Sequence, residues 1–428
     1  MTYEIITLGC KVNSCESAAI AAQMERAGYT PAQRGADVCI INSCAVTGMG
    51  VKKARQTVSR CKRENPACIV VLCGCFPQAY PDEASRVIGA DIVTGNSHKG
   101  DIPALVEQRL GTGVRTMCVK PLTRAFDESS AGADIDRTRA FIKIEDGCDR
   151  FCTYCIIPFA RGRVRSRRPE EIARQAALCA ESGHREVVLT GINLGCYGQE
   201  YGLTLADAVS AAQADGIERI RLSSLEPEML MADEVERLRG IKKLCPHFHL
   251  SLQSGCDKTL RDMHRRYDTE LFAQTAQRLR EAFPGCAITT DIMVGFPGET
   301  DEDFAQSMAF IEQIGFAKLH VFPYSIRQGT VAAERPDQIP PMIKTRRARL
   351  AEELGRQLEE RFLSAQVGTV QSVLIEKPRT PDYSHGFTAG YTPVRIYGAE
   401  LARHTLVNVR ITGFRDGYCI GTPDSPAE

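Results

Sequence analysis

The sequence predicts an α/β chain in three parts: an amino-terminal open parallel α/β domain, a partial (βα)6 barrel and a small C-terminal all-β barrel. Three observations carry this. Strand-like and helix-like segments alternate over the first hundred residues. The alternation restarts at residue 139 and runs through six units. After Val367 the texture changes to short alternating strands joined by Gly, Pro and Asp. A chain of 428 residues exceeds one ordinary core and suits two or three domains.

In the first part, "YEIITLG" (3–9), "DVCIINSC" (37–44) and "CIVVLCGC" (68–75) read as strands. "SAAIAAQMERAG" (17–28) and "VKKARQTVSRCKREN" (51–65) read as helices between them. Strand–helix–strand repetition argues for a parallel sheet, and the first domain is expected over 1–108. Residues 109–138, with the polar stretch "DESSAGADIDR", read as a linker.

The barrel strands are expected at "AFIKIED" (140–146), "EVVLTG" (186–191), "RIRLSS" (219–224), "HFHLSLQ" (247–253), "AITTDIMVG" (287–295) and "KLHVFPY" (318–324). Six units make an incomplete barrel, short of the usual eight. A charged helix over 341–366 closes this domain, which spans 139–366. From 367 to 428, "GTVQSVLIEK", "TAGYTPVRIYG" and "HTLVNVRITGFRDGYCIGT" read as a small closed sheet.

An apolar fraction of 43% and a charged fraction of 25% are those of a globular protein. The net charge of zero supplies no global field for nucleic acid, so any such contact needs local patches. The opening "MTYEIITLGC" reads as a strand rather than a signal peptide, and no apolar run approaches the roughly 18 residues of a membrane span. A cytoplasmic location and no membrane partner are expected. There, 18 cysteines are poorly explained by disulfides. Metal or cluster ligation accounts for some, and small buried packing residues such as Cys179 for others.

The sharpest motif is "GCDRFCTYC" (147–155), which sets Cys148, Cys152 and Cys155 at C-x3-C-x2-C. On a helix rising about 1.5 Å per residue, the outer thiols would stand about 10 Å apart along the axis. A loop that wraps one cluster fits better, and the preceding strand, Gly147 and Pro158 support a loop. Iron–sulfur cubes normally take four cysteines, so three leave one iron open, and an open position is where metal chemistry occurs.

In this position, after the first strand of a partial barrel, the motif resembles that of the radical S-adenosylmethionine enzymes. The resemblance implies that the open iron chelates the amino and carboxylate groups of S-adenosylmethionine. The reduced cluster then cleaves the sulfonium to a 5′-deoxyadenosyl radical. Strand ends elsewhere agree: "TGINLG", "SSLEP", "SLQSG", "DIMVGFPGET" and "FPYSIRQGT" combine polar side chains with glycines where barrels bind ligands. They nominate Gly191, Asn193, Ser223, Glu226, Gln253, Asp291, Gly295, Ser325 and Arg327 for the cofactor.

Cys10, Cys44 and Cys75 each fall just past a predicted strand, on one edge of the first sheet. Their wide spacing alone does not separate a cluster from scattered packing residues. With "LGCKVNSCES", "INSCAVTGMG" and "LCGCFPQ" ahead of such a barrel and a β-barrel behind it, the whole chain is similar to the methylthiotransferases. That likeness implies a second [4Fe–4S] cluster on Cys10, Cys44 and Cys75, with an open iron for the sulfur to be inserted. Cys75 is preferred to Cys73 because the family's third ligand follows a glycine. Cys15 and Cys39 read as packing residues.

"GCKVNSCES", "CTYCIIPFARGRVRSR" and "MHRRYD" look most like the branch that modifies threonylcarbamoyladenosine in tRNA. The implied reaction replaces the C–H at carbon 2 with a methylthio group, using one S-adenosylmethionine as methyl donor and another as radical source. An aromatic C–H of little acidity gives a reason for radical chemistry. An electron donor such as a flavodoxin or ferredoxin is implied. Arg161, Arg163, Arg165, Arg167 and Arg168 are candidates for RNA phosphate contact, against a solvated or internally paired loop. The last domain resembles the TRAM module that binds RNA, although its six basic and six acidic residues do not advertise it. Isopentenyladenosine in tRNA and an aspartate of a ribosomal protein are the alternative substrates. An iron–sulfur electron-transfer protein is the alternative of another class.

Overall fold

The structure, a computed structural model, describes residues 1–97, 99–128, 137–376 and 382–424. Residues 129–136 of the expected linker lie outside them, as does Lys377 at the end of "VLIEK".

The first domain is a six-stranded, all-parallel sheet. Its spatial order is Thr30–Pro31, Thr2–Thr7, Val38–Ser43, Ile69–Gly74, Ile92–Thr94 and Thr116–Cys118. The central strands are buried on both faces, which is why they read as continuous apolar runs. Ile41, Val70 and Leu72 face one core, and Ile40, Val71 and Cys73 the other. The helix Gly48–Glu64 is capped by the Thr47 side chain, which accepts from the Gly50 N–H, and buries Ala54, Thr57, Val58 and Cys61 at helical spacing. The last strand corrects one expectation. Thr116–Cys118 pairs with Ile92–Thr94, so part of 109–138 belongs to this sheet rather than to a linker.

Six parallel strands then form the partial barrel: Arg139–Lys143, Glu186–Thr190, the near-continuous Arg219–Leu222 and Ser224–Leu225, His247–Leu250, Ala287–Val294 and Lys318–Pro323. Helices such as Pro169–Glu181, Thr269–Ala282 and Asp301–Ile314 cover the outside, where Ile288, Ile292, Phe248 and Leu250 pack. The helix Pro341–Ser364 lies along the last strand and leads into a closed five-stranded barrel with spatial order Val370–Ile375, Tyr383–Thr388, Pro393–Tyr397, Tyr418–Pro423 and Leu406–Arg415. No helix among the described residues is long and apolar enough to cross a membrane.

Three arginines dock the two barrels, the buried Arg219 and Arg221 and the half-buried Arg139. Arg139 pairs with Glu376 at 2.5 Å, Arg219 donates to the Phe387 carbonyl at 3.1 Å, and Arg221 donates to the Ala389 carbonyl at 2.9 Å. Arg221 also pairs with the buried Glu186 at 2.7 Å.

Candidate active site

Cys148, Cys152 and Cys155 lie in the loop after the first barrel strand. Gly147 has φ +90°, and a Cβ there would collide with the Arg163 carbonyl, so the loop can turn beneath that strand only at a glycine. The Cys148 N–H donates to the Gly162 carbonyl at 2.9 Å and the Cys155 N–H to the Cys152 carbonyl at 2.9 Å. The turn is therefore fixed by backbone bonds and leaves the thiols free. Burial pushes the Cys148 and Cys155 thiols up to about 12, so ionising them needs a positive partner such as iron.

Donors surround the triad. Arg265 Nη1 stands 3.1 Å from Cys152 Sγ, and Asn193 Nδ2 stands 3.9 Å from Cys148 Sγ. Glu226 is not open to a ligand: it holds Arg150 at 2.6 Å, Arg265 at 2.8 Å and Asn193 at 2.9 Å. Burial would raise its pKa, but the two arginines outweigh burial and hold the carboxyl below its usual range. Glu226 thus orients the groups that face the thiols. Glu145, fully buried, accepts the Ile192 and Asn193 N–H groups at 2.7 Å each. Burial pushes it up to about 8, so it fixes the Gly191–Asn193 turn as a neutral acid at pH 7.

The second triad sits on the C-terminal edge of the first sheet. Cys10 precedes the helix Lys11–Arg26, Cys44 follows Val38–Ser43, and Cys75 follows Ile69–Gly74. A Cβ on Gly9 would stand 3.4 Å from Cys44 Sγ, which brings the first two loops together. Asn96 Nδ2 donates to Cys75 Sγ at 3.4 Å and the Val46 N–H to Cys44 Sγ at 3.4 Å. Cys73 points the other way, into the core with Val71 and Ile40. Burial raises the Cys10 thiol and takes Cys44 to about 11, against the pull of Arg161. No three His, Cys, Asp or Glu side chains among the described residues close on a single ion. A four-iron cube is larger than a single ion and takes thiolates set further apart. Triads of thiols with N–H donors aimed at sulfur fit such a cube at both places.

Beside Cys10 lies a cavity of about 740 Å³. Residues two apart on three barrel strands line it: His247 and His249; Ala287, Thr289 and Asp291; Lys318, His320 and Phe322. Gly9, Cys10 and Lys11 close one side, Thr190, Gly191 and Ser223 another, and Phe387 and Tyr391 of the C-terminal barrel the floor. Cys10 is open to this space though deep in the protein. Ser223 Oγ is buried without a hydrogen-bond partner. Burial holds His247 well below the usual histidine range, and burial with His249 nearby lowers His320, so both are neutral at pH 7.

The nominated cofactor residues therefore separate. Gly191, Ser223 and Asp291 line the cavity, and Asn193 and Glu226 adjoin the thiols. Gln253 is a left-handed residue, φ +66°, bonded through its backbone to Asp291 and Met293. Gly295 packs against the long helix, where a Cβ would strike the Lys344 side chain. Ser325 and Arg327 contact Gly48 and the Ala45 carbonyl, at 3.3 and 3.4 Å, and hold the loop after Cys44. The arginine run divides too. Arg161, Arg165 and Arg167 are buried on Glu16, Asp146 and Glu128, as an internally paired loop would be. Arg163 and Arg168 remain exposed, each against an aromatic ring, Phe151 and Tyr201. Sequence reasoning missed Glu145, Arg265, Lys11 and the histidines. The alternation in "HFHL" was the readable signal for His247 and His249.

Residues 142–311 match the family described as the Radical SAM superfamily, and residues 2–95 that described as Uncharacterized protein family UPF0004. The chain is 38% identical over 430 residues to the threonylcarbamoyladenosine tRNA methylthiotransferase MtaB of Bacillus subtilis, covering 97% of this chain and 94% of that one. The chain belongs to the radical SAM methylthiotransferase family. The methylthiotransferase of the same name from Thermotoga maritima is 38% identical over 412 residues, covering 96% and 94% of the two chains. The tRNA-2-methylthio-N(6)-dimethylallyladenosine synthase of Pelotomaculum thermopropionicum is 33% identical over 434 residues, covering 98% and 97%. Among solved structures, the radical S-adenosylmethionine methyltransferase TsrM of Kitasatospora setae aligns at a TM-score of 0.56 and 13% identity over 78% of this chain and 77% of that one. That likeness is one of fold. As a radical SAM methylthiotransferase the protein uses S-adenosylmethionine and a [4Fe–4S] cluster.

Proposed function

We propose that this methylthiotransferase replaces the C–H at carbon 2 of N6-threonylcarbamoyladenosine, beside the tRNA anticodon, with a methylthio group. The observation that carries the reading is full-length likeness to relatives of that name, 38% against 33% for the dimethylallyladenosine relative. The cavity that Cys10 lines together with the barrel strands supports it.

Cys148, Cys152 and Cys155 hold the cluster that, when bound, supplies one-electron cleavage of S-adenosylmethionine. Cys10, Cys44 and Cys75 hold a second [4Fe–4S] cluster for the sulfur. Asn193 and Arg265 donate to thiolate sulfur and stabilise its negative charge. Glu226 and Glu145 keep those donors in place. The cavity lined by the barrel strands would shelter the reacting carbon from water, as a radical step requires. A flavodoxin or ferredoxin delivers the electron, and the TRAM-like C-terminal barrel contributes to tRNA binding.

Nucleoside analysis of tRNA from a deletion strain tests the substrate. Loss of the methylthio-threonylcarbamoyl nucleoside, with the dimethylallyl counterpart retained, is expected. The reverse pattern would overturn the choice.

A further inference from the structure

The cavity beside Cys10 carries an unbalanced feature that the chemistry at carbon 2 does not use. Lys11 lines it, adjacent to Cys10, and is exposed to it. Among the described residues Lys11 has neither an ion-pair nor a hydrogen-bond partner. The other charged groups in the lining have partners. Lys318 pairs with Glu359 at 2.9 Å, and Asp291 faces His249 at 3.4 Å. The floor beneath adds positive charge. Phe387 and Tyr391 stack at 4.9 Å, with the Arg139 guanidinium 4.7 and 5.0 Å from their rings and that of Arg221 4.7 Å from Tyr391. Arg139, Arg219 and Arg221 are set against only Glu186 and Glu376.

A cation without a partner on a cavity wall is a poor neighbour for an all-hydrocarbon adduct and a good one for an acid. The two adenosine substrates differ in this respect. Dimethylallyladenosine carries an uncharged alkene, whereas threonylcarbamoyladenosine ends in a carboxylate. We infer that Lys11 is a specificity-determining residue, pairing with the threonyl carboxylate while the adjoining base packs toward the Phe387–Tyr391 platform. This rests on the substrate reading above and deepens it. The first domain would then contribute a substrate contact from the residue next to one of its cluster cysteines. A phosphate contact by Lys11 is the competing assignment, and it makes a different forecast.

The experiment measures binding of the cluster-loaded enzyme to anticodon stem-loops that carry threonylcarbamoyladenosine, its methyl ester, dimethylallyladenosine or plain adenosine. Wild type should prefer the acid to the ester by about 10-fold, the scale of a charge-assisted contact on a cavity wall. Lys11→Met should bind acid and ester alike, and Lys11→Arg should retain the preference. Equal wild-type affinity for acid and ester overturns the inference, and that arm needs no variant. So does a Lys11→Met enzyme that keeps the preference, or one that loses affinity equally for modified and plain stem-loops, as a phosphate contact would. Wild-type enzyme that methylthiolates the dimethylallyl stem-loop and not the threonylcarbamoyl one defeats the substrate reading instead.

Discussion

Arg161 Nη1 lies 2.8 Å from Glu16 Oε1, and both side chains are buried where the first domain meets the partial barrel. Arg161 follows the radical-cluster loop and also holds Asp146 at 3.0 Å and Asn13 at 2.7 Å. Asn13 in turn accepts from Cys10 Sγ at 3.5 Å. One guanidinium therefore ties the two cysteine loops together, which gives their separation a structural cause.

Glu16 is the centre of that network. It also pairs with Lys143 at 3.0 Å and with Lys99. Glu16→Ala leaves Lys99 without its carboxylate, and leaves Arg161 and Lys143 with Asp146 alone. Breaking a buried pair from one side costs about 3–5 kcal/mol. Chemical denaturation should show a loss of that order, and a loss under about 1 kcal/mol would mean the network is solvated in solution.

The same residue sets a pH dependence. Burial alone would raise the Glu16 pKa, but Arg161, Lys99 and Lys143 outweigh burial and hold it well below the usual carboxylate range. A depressed folded-state pKa stabilises the fold above the unfolded value of about 4.3 and loses that contribution as pH falls toward the folded value. Wild type should therefore exceed Glu16→Gln in stability by most above about pH 5, with the gap closing as pH falls below about 4. Denaturation midpoints of both proteins across that range are the check. A gap that widens in acid would reverse the sign.

The two triads should separate genetically. Cys148→Ala, Cys152→Ala or Cys155→Ala should abolish formation of 5′-deoxyadenosine. Cys10→Ala, Cys44→Ala or Cys75→Ala should spare it and stop methylthio insertion. Cys73→Ala, which removes a core thiol facing Val71 and Ile40, should retain insertion with a stability loss of about 1–2 kcal/mol. Chromatography of the nucleoside products reads both activities. Full insertion by any variant of the six proposed ligands would remove that residue from its cluster.

What the sequence made legible follows physical scale. The barrel strands and the three central strands of the first sheet stand where their apolar runs predict them, because burial on one or both faces dictates those runs. Thr30–Pro31, Ile92–Thr94 and Thr116–Cys118 are two or three residues each. They are too short to show a period, and pairing to a neighbour decides them. The cysteine spacing announced its chemistry because the motif is local. Glu145, Arg265 and Lys11 were hidden because what gives each a role lies far away in the chain. The arginine run showed its charge but not its burial, since Glu16, Asp146 and Glu128 come from three separate segments.

That division of the arginines makes the last prediction. Arg163, with 71% of its side chain exposed, packs 4.9 Å from the half-exposed Phe151 ring and pairs only with surface Asp149. Arg168 lies 3.7 Å over Tyr201. Guanidinium groups on aromatic faces suit phosphate and base contacts in single-stranded loops. Arg163→Ala and Arg168→Ala should weaken tRNA binding while leaving the denaturation midpoint within about 0.5 kcal/mol of wild type. Each lost phosphate contact should lower the salt slope of log K by about 0.7–0.9. Arg161→Ala should instead lower stability, because its charge is spent on Glu16 and Asp146. Binding titrations at several salt concentrations, paired with denaturation of the same proteins, distinguish the two classes. An unchanged salt slope in both exposed variants would place the RNA surface elsewhere.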